Sequence, residues 1–184
     1  MRPDISDLFP IVVKGSENKS FPWNNVFTES NAPDGGKDNC LTLSFDDSNH
    51  LVITYRNECE GNITFGDEDK SILTEQMIKI LHGELLVDCD YSDMKDYLLP
   101  KCFFYTISAD PENVTEALRK LPIEQPDTKK IFIFINGSID RFGKIEGIID
   151  DIRSYFGAED IAFAFDGNQQ DADKNIRVNL WIPA

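Results

Sequence analysis

No run of eighteen apolar residues occurs in this 184-residue chain, so a transmembrane helix is not expected. No basic-then-apolar leader follows Met1, and the chain is read as cytoplasmic, with its cysteines reduced. Cysteine is scarce: Cys40, Cys59, Cys89 and Cys102 have no CxxC spacing of the zinc or redox kind. Histidine occurs twice, and His50 and His82 fall in separate segments, so no metal site is expected from them. Positive charge is in short supply, with 18 Lys and Arg against 33 Asp and Glu, a net charge of −15 and a pI near 4.4. Such a surface repels phosphate backbones and anionic lipid, which argues against nucleic acid and membrane as partners. The acidity is not confined to a tail, because residues 73–184 alone hold 12 basic and 20 acidic side chains. Gly35-Gly36 is the one adjacent glycine pair, and without a following helical pattern it reads as a turn, not as a phosphate cradle.

What is present is core material. Hydrophobic residues make up 41% of the chain and include 13 Phe, which excludes global disorder. The length suits one domain, or one domain with a smaller companion. Residues 1–70 are expected to be β-rich. Phe9–Val13 reads as a short strand, and Leu41–Phe45 with Leu51–Tyr55 as a hairpin across the turn residues 46–50. Asn62–Phe65 adds a third strand, and the Pro- and Gly-containing stretch between residues 22 and 36 reads as loop.

From Ser71 the period changes, and residues 71–184 are expected to form an α/β domain. Leu73, Met77, Ile80 and Leu81 share a helical face, capped by Asp69 or Ser71 and ended by Gly83. Cys102–Ile107 is a buried-strand run, with Cys102 a buried thiol. Asp110-Pro111 opens a helix through Val114, Ala117, Leu118 and Leu121. Lys130–Ile135 is a continuous apolar strand, expected at the centre of a sheet. Ile145, Ile148, Ile149 and Ile152 mark a helix closing at Gly157, and Asp160–Phe165 and Ile176–Ile182 are two further strands, expected to pair antiparallel. The order β-α-β-α-β-β from residue 102 predicts a two-layer fold, a mixed four-stranded sheet with both helices on one face.

This order, with the acidic run Asp88-Cys89-Asp90-Tyr91-Ser92-Asp93-Met94-Lys95, resembles the C-terminal (second) domain of the FtsZ/tubulin superfamily over residues 85–182. The run is similar to the N-x-D-[FY]-x-D-[VM]-K synergy loop of bacterial FtsZ, the tubulin-like division GTPase. The stretch Glu112–Leu121, the strand and turn Lys130–Ser138, the helix Ile145–Phe156 and the strands Asp160–Asp166 and Asn175–Ile182 follow in the family's order. The family's glycine-rich G-G-G-T-G-[ST]-G phosphate loop has no counterpart here, and residues 1–72 are too short for the nucleotide-binding domain. Asp88 stands where the family has Asn, Leu85 where it has Gly, and Ser138 where the turn has a second Gly.

The resemblance implies an interaction site at Asp88, Asp90, Asp93 and Lys95. In the family the two loop acids reach across a subunit interface and polarise water beside the neighbour's γ-phosphate, and Asp90 and Asp93 match them. The other reading is local: Asp90 caps a short helix and Asp93 complements its dipole. A calcium loop beginning at Asp88 fails, because its sixth position is not Gly and its twelfth is Leu99; one beginning at Asp166 fails at Arg177. No Ser or Cys nucleophile has an evident partner, so no catalytic residue, cofactor or metal is expected. Trp23 reads as a partner anchor or as a satellite of the core. The functional expectation is a non-enzymatic interaction or assembly protein. Its partner would be a protein, either a tubulin-like GTPase or a second copy. The alternative is a small-ligand binder or enzyme with a pocket between the N-terminal β-region and the α/β domain.

Overall fold

A computed structural model describes residues 10–15, 20–32, 40–67, 69–82, 85–87, 91–123, 128–167 and 175–184. In chain order the elements are β1 (Ile11–Lys14), β2 (Val26–Thr28), β3 (Leu41–Phe45), β4 (His50–Tyr55), β5 (Glu58–Thr64), α1 (Lys70–His82) and α2 (Tyr91–Lys95). They continue with β6 (Cys102–Ala109), α3 (Val114–Leu118), β7 (Lys130–Asn136), α4 (Ile145–Phe156), β8 (Asp160–Asp166) and β9 (Ile176–Pro183).

Local chemistry accounts for the boundaries. The Asp46 carboxylate accepts the backbone N–H groups of Ser48 at 2.8 Å and His50 at 3.0 Å, closing the β3–β4 turn, and these bonds lower its pKa. The Asp110 carboxylate accepts the Glu112 N–H at 3.1 Å, with Pro111 as first residue of a 3₁₀ turn that leads into α3. α3 is shorter than the spacing of Val114 to Leu121 predicts. Past Leu118 the bonds tighten to a three-residue span, Lys120 N–H to Ala117 and Leu121 N–H to Leu118, before Pro122. α4 buries all four of its predicted isoleucines and ends at Gly157, whose φ of +67° only glycine adopts readily.

The fold is mixed α/β, with nine strands where the sequence predicts a four-stranded layer. All nine described strands form one sheet, ordered β2-β1-β3-β4-β5-β6-β9-β7-β8. β3, β4 and β5 form an antiparallel meander. β5 then joins β6 in parallel through only two residue pairs, Ile63 with Cys102 and Thr64 with Phe103. The expected antiparallel pairing of the last two strands is corrected: β9 lies between β6 and β7, antiparallel to both, and β8 pairs in parallel with β7, with one isolated antiparallel bridge from its Phe165 to Val87. The reason is burial. Six of the eight β9 residues are buried, and a strand that apolar must have both edges covered, whereas β8 starts at exposed Asp160 and takes the sheet edge.

Both faces of the sheet are covered. α3 and α4 lie together on one face, packing Val114, Leu118, Ile148 and Ile152 on Ile133, Val178 and Leu180. The other face carries α1 and α2, whose Leu73, Met77, Leu81 and Met94 share a core with Leu43, Ile53, Phe104 and Trp181. The two-layer expectation therefore holds for α3 and α4 alone, because the sheet's second face is as apolar as its first. Trp181 is fully buried, with the rings of Phe104 and Phe132 4.6 and 5.3 Å from its own. Trp23 is a satellite of this core, stacked on His82 at 5.4 Å. None of the described helices is long and apolar enough to cross a membrane.

Candidate functional site

Of the four residues singled out by the acidic run, Asp93 and Lys95 lie on α2, while Asp88 and Asp90 fall outside the described residues, as does Gly83. α2 is fixed by what it buries. Tyr91 and Met94, three apart, share the inward side, so Ser92, Asp93 and Asp96 emerge on the exposed one. The Lys95 ammonium reaches back 2.5 Å to the Glu60 carboxylate of β5. The segment after α2 is tied to the same strand: the Asn62 N–H donates to the Leu98 carbonyl at 3.2 Å. Gly61 permits that approach, since a Cβ there would lie 3.0 Å from Ile53 and 3.3 Å from Leu98. Lys95 is thus an anchor for α2, and the outward charge of the helix is acidic. Burial, with Glu60 nearby, holds the Tyr91 hydroxyl above the usual phenol range.

Asp93 and Asp96 overlook a cleft of about 490 Å³ between α2 and β8, whose opposite wall is Lys130, Asp160 and the strand as far as Phe163. The Tyr97 hydroxyl donates to Asp160 at 3.1 Å, and Lys130 pairs with the same carboxylate at 3.8 Å. A second cleft of about 470 Å³ lies on the other side of β8, against α4, floored by Phe142, Ile145 and Ile149 and rimmed by Glu146, Asp150 and Arg153. Ile161 and Phe163 border both. Beyond them, Leu86, Ile139 and Phe142 are exposed apolar side chains near the C-terminal ends of β7 and β8. Phe142 leans on Phe165 at 5.6 Å, and Leu86 lies against Gly167. Among the described residues no cluster of three His, Cys, Asp or Glu is placed to hold a metal ion.

A polar network that the sequence reading missed lies beneath α1. Lys79 donates to Asp166 at 2.6 Å and pairs with Glu75 at 2.8 Å. Asn136 donates to Asp166 at 3.4 Å and accepts from Gln76 at 3.3 Å and from Asn179 at 3.1 Å. Asn179 also donates to the Phe134 carbonyl at 3.0 Å and accepts from Thr106 at 3.1 Å. Burial alone would lower the Lys79 pKa, but the hydrogen bonds and charges of Asp166 and Glu75 outweigh it and hold the ammonium above its ordinary value. The signal for this network was present: Asn136 and Asp166 end apolar strands, and Asn179 interrupts one. What it does is lock α1 across β7, β8 and β9.

No protein-family model matches the chain, and no curated protein does. Among solved structures it is similar to an empty FtsZ dimer from M. jannaschii, at 17% identity and a TM-score of 0.45, over 62% of this chain and 38% of that one. A point mutant of M. jannaschii FtsZ gives 18% identity and a TM-score of 0.43, over 62% and 40%. GDP-bound monomeric CetZ1 from Haloferax volcanii gives 14% identity and a TM-score of 0.40, over 80% and 46%. The chain thus spans less than half the length of each of these proteins.

Proposed function

We propose that this chain is a non-enzymatic interaction protein that docks on a filament-forming, tubulin-like GTPase, or on a second copy of itself, through the face that carries residues 88–95. The observation that carries the reading is the way α2 is mounted. Tyr91, Met94 and Lys95 are committed to the chain's own core and to Glu60, and Ser92, Asp93 and Asp96 lie on the solvent-exposed side of the helix they fasten. A helix fastened in this manner presents acids at low conformational cost, which favours recognition. The sequence likeness of the run to a synergy loop supports the choice of partner, and the lack of a glycine-rich phosphate loop in this sequence supports a role without catalysis.

The test is to mix the chain with an FtsZ-type GTPase and GTP, then follow sedimentation and phosphate release. Co-sedimentation or an altered hydrolysis rate is expected, lost in Asp93→Lys at unchanged folding. No change in either quantity at high micromolar concentration counts against the proposal.

A further inference from the structure

Among the described residues the large apolar side chains that stand exposed are Leu86, Ile139 and Phe142, at 51, 61 and 47%, and all of them gather at one corner of the sheet. The buried Phe165 ring joins them: Phe142 leans on it at 5.6 Å, and Leu86 and Phe165 both lie against Gly167. Ile139 and Phe142 are three apart in the 3₁₀ turn Ile139–Lys144, where residues at that spacing eclipse, so they stand side by side. A lone exposed apolar side chain needs no explanation, but a cluster marks a contact surface. Beside this knob lies a hole. The cleft of about 470 Å³ between α4 and β8 begins at Phe142 and Gly143 and is floored by Ile145, Ile149, Ile161 and Phe163.

We infer that this corner is the contact face of a two-fold homodimer, in which Phe142 of each copy enters the α4–β8 cleft of the other. A two-fold interface needs one patch that complements itself. A knob and a hole side by side in one patch meet that condition, and so do the charges. Among the described residues, Arg141 and Glu146 have neither an ion pair nor a side-chain hydrogen bond, whereas their neighbours Lys144 and Asp150 are engaged by Glu112 and Arg153. An axis between Gly143 and Lys144, with the two segments antiparallel, sets Phe142 opposite Ile145 of the other copy and Arg141 opposite its Glu146. The net charge of −15 on each copy opposes association. At physiological salt that repulsion is screened beyond about 8 Å, which leaves the contact itself to decide. The corner is separate from the α2 face to which the docking reading assigns a partner, and the inference does not rest on that reading.

The experiment is light scattering of the full chain after size exclusion, at concentrations up to about 1 mM, the weak end of specific association. Wild type should pass from monomer towards dimer as concentration rises. Phe142→Glu and Gly143→Trp should each weaken the dimer at least about tenfold. Both substitutions fall where the fold has room: Phe142 is half exposed, and a Cβ at Gly143 meets nothing within 4 Å. The new Trp side chain would occupy the place of the incoming Phe142 ring. Circular dichroism checks that each variant is folded. Arg141→Glu should also weaken the dimer, and Arg141→Glu/Glu146→Arg should restore it, as a contact repeated across a two-fold axis requires. Asp93→Lys, on α2, should leave it unchanged. A strict monomer at the highest concentration overturns the inference, since the corner would then serve some other protein. So does a dimer that survives both Phe142→Glu and Gly143→Trp, that the double reversal fails to restore, or that Asp93→Lys disrupts. The two proposals fail separately, because light scattering without a GTPase reads the corner, and sedimentation with one reads the α2 face.

Discussion

At Lys79 desolvation and two carboxylates pull in opposite directions, and the carboxylates win. Lys79→Met would remove the ammonium that lies 2.6 Å from the almost wholly buried Asp166 carboxylate. Breaking a buried pair costs about 3–5 kcal/mol, and the lower end applies because the Lys79 side chain stays 21% exposed. Urea unfolding should show that loss, and Lys79→Met/Asp166→Leu should cost less than the sum of its single variants. The pH dependence has a definite sign. The folded pKa of Lys79 is raised from 10.5, so its stabilisation is complete below that value and disappears as pH climbs through the folded pKa. Wild type should therefore lose stability at high alkaline pH more steeply than Lys79→Met. The polar residues were visible in the sequence, but not their pairing. Asn179 looks anomalous inside an apolar strand, but its partner Asn136 is 43 positions away, and Gln76 reaches Asn136 across 60. Such pairings are products of the sheet order.

Elements were more legible than their neighbours. The spacings of α1 and α4 and the apolar runs of β6, β7 and β9 sufficed, because each element carries its own period. The order of β8 and β9 did not follow, since adjacency along the chain suggests a hairpin, whereas burial demands that the more apolar strand be central. α2 was readable as a short helix, but its mounting on Glu60 was not, because that contact joins separate segments. Helix ends remain local, and that gives a clean prediction. A Cβ at Gly157 would meet nothing within 4 Å, so Gly157→Ala should carry only the left-handed backbone penalty, roughly 1–2 kcal/mol in chemical denaturation.

For the whole molecule, the decisive feature is the narrow β5–β6 joint combined with a core that spans it. Leu43 and Ile53 belong to the same buried cluster as Phe104 and Trp181. We expect residues 1–70 and 71–184 to unfold as one cooperative unit, with coincident tryptophan fluorescence and far-ultraviolet circular dichroism transitions. Leu43→Ala, a truncation of about 2–5 kcal/mol at a fully buried site, should shift both signals together although the Trp181 ring lies far along the chain. Separate transitions would divide the molecule at the joint.

The α2 face and β8 border one cleft, and the α2 face is the surface assigned to partner recognition. Hydrogen exchange of the chain, alone and with an FtsZ-type GTPase polymer, tests that assignment most directly. The account predicts slowed exchange in residues 91–97, with the strand β2 at the opposite end of the sheet from β8 unaffected. Slowing confined to β2 and its surroundings, or an exchange pattern unchanged at saturating polymer, would contradict it.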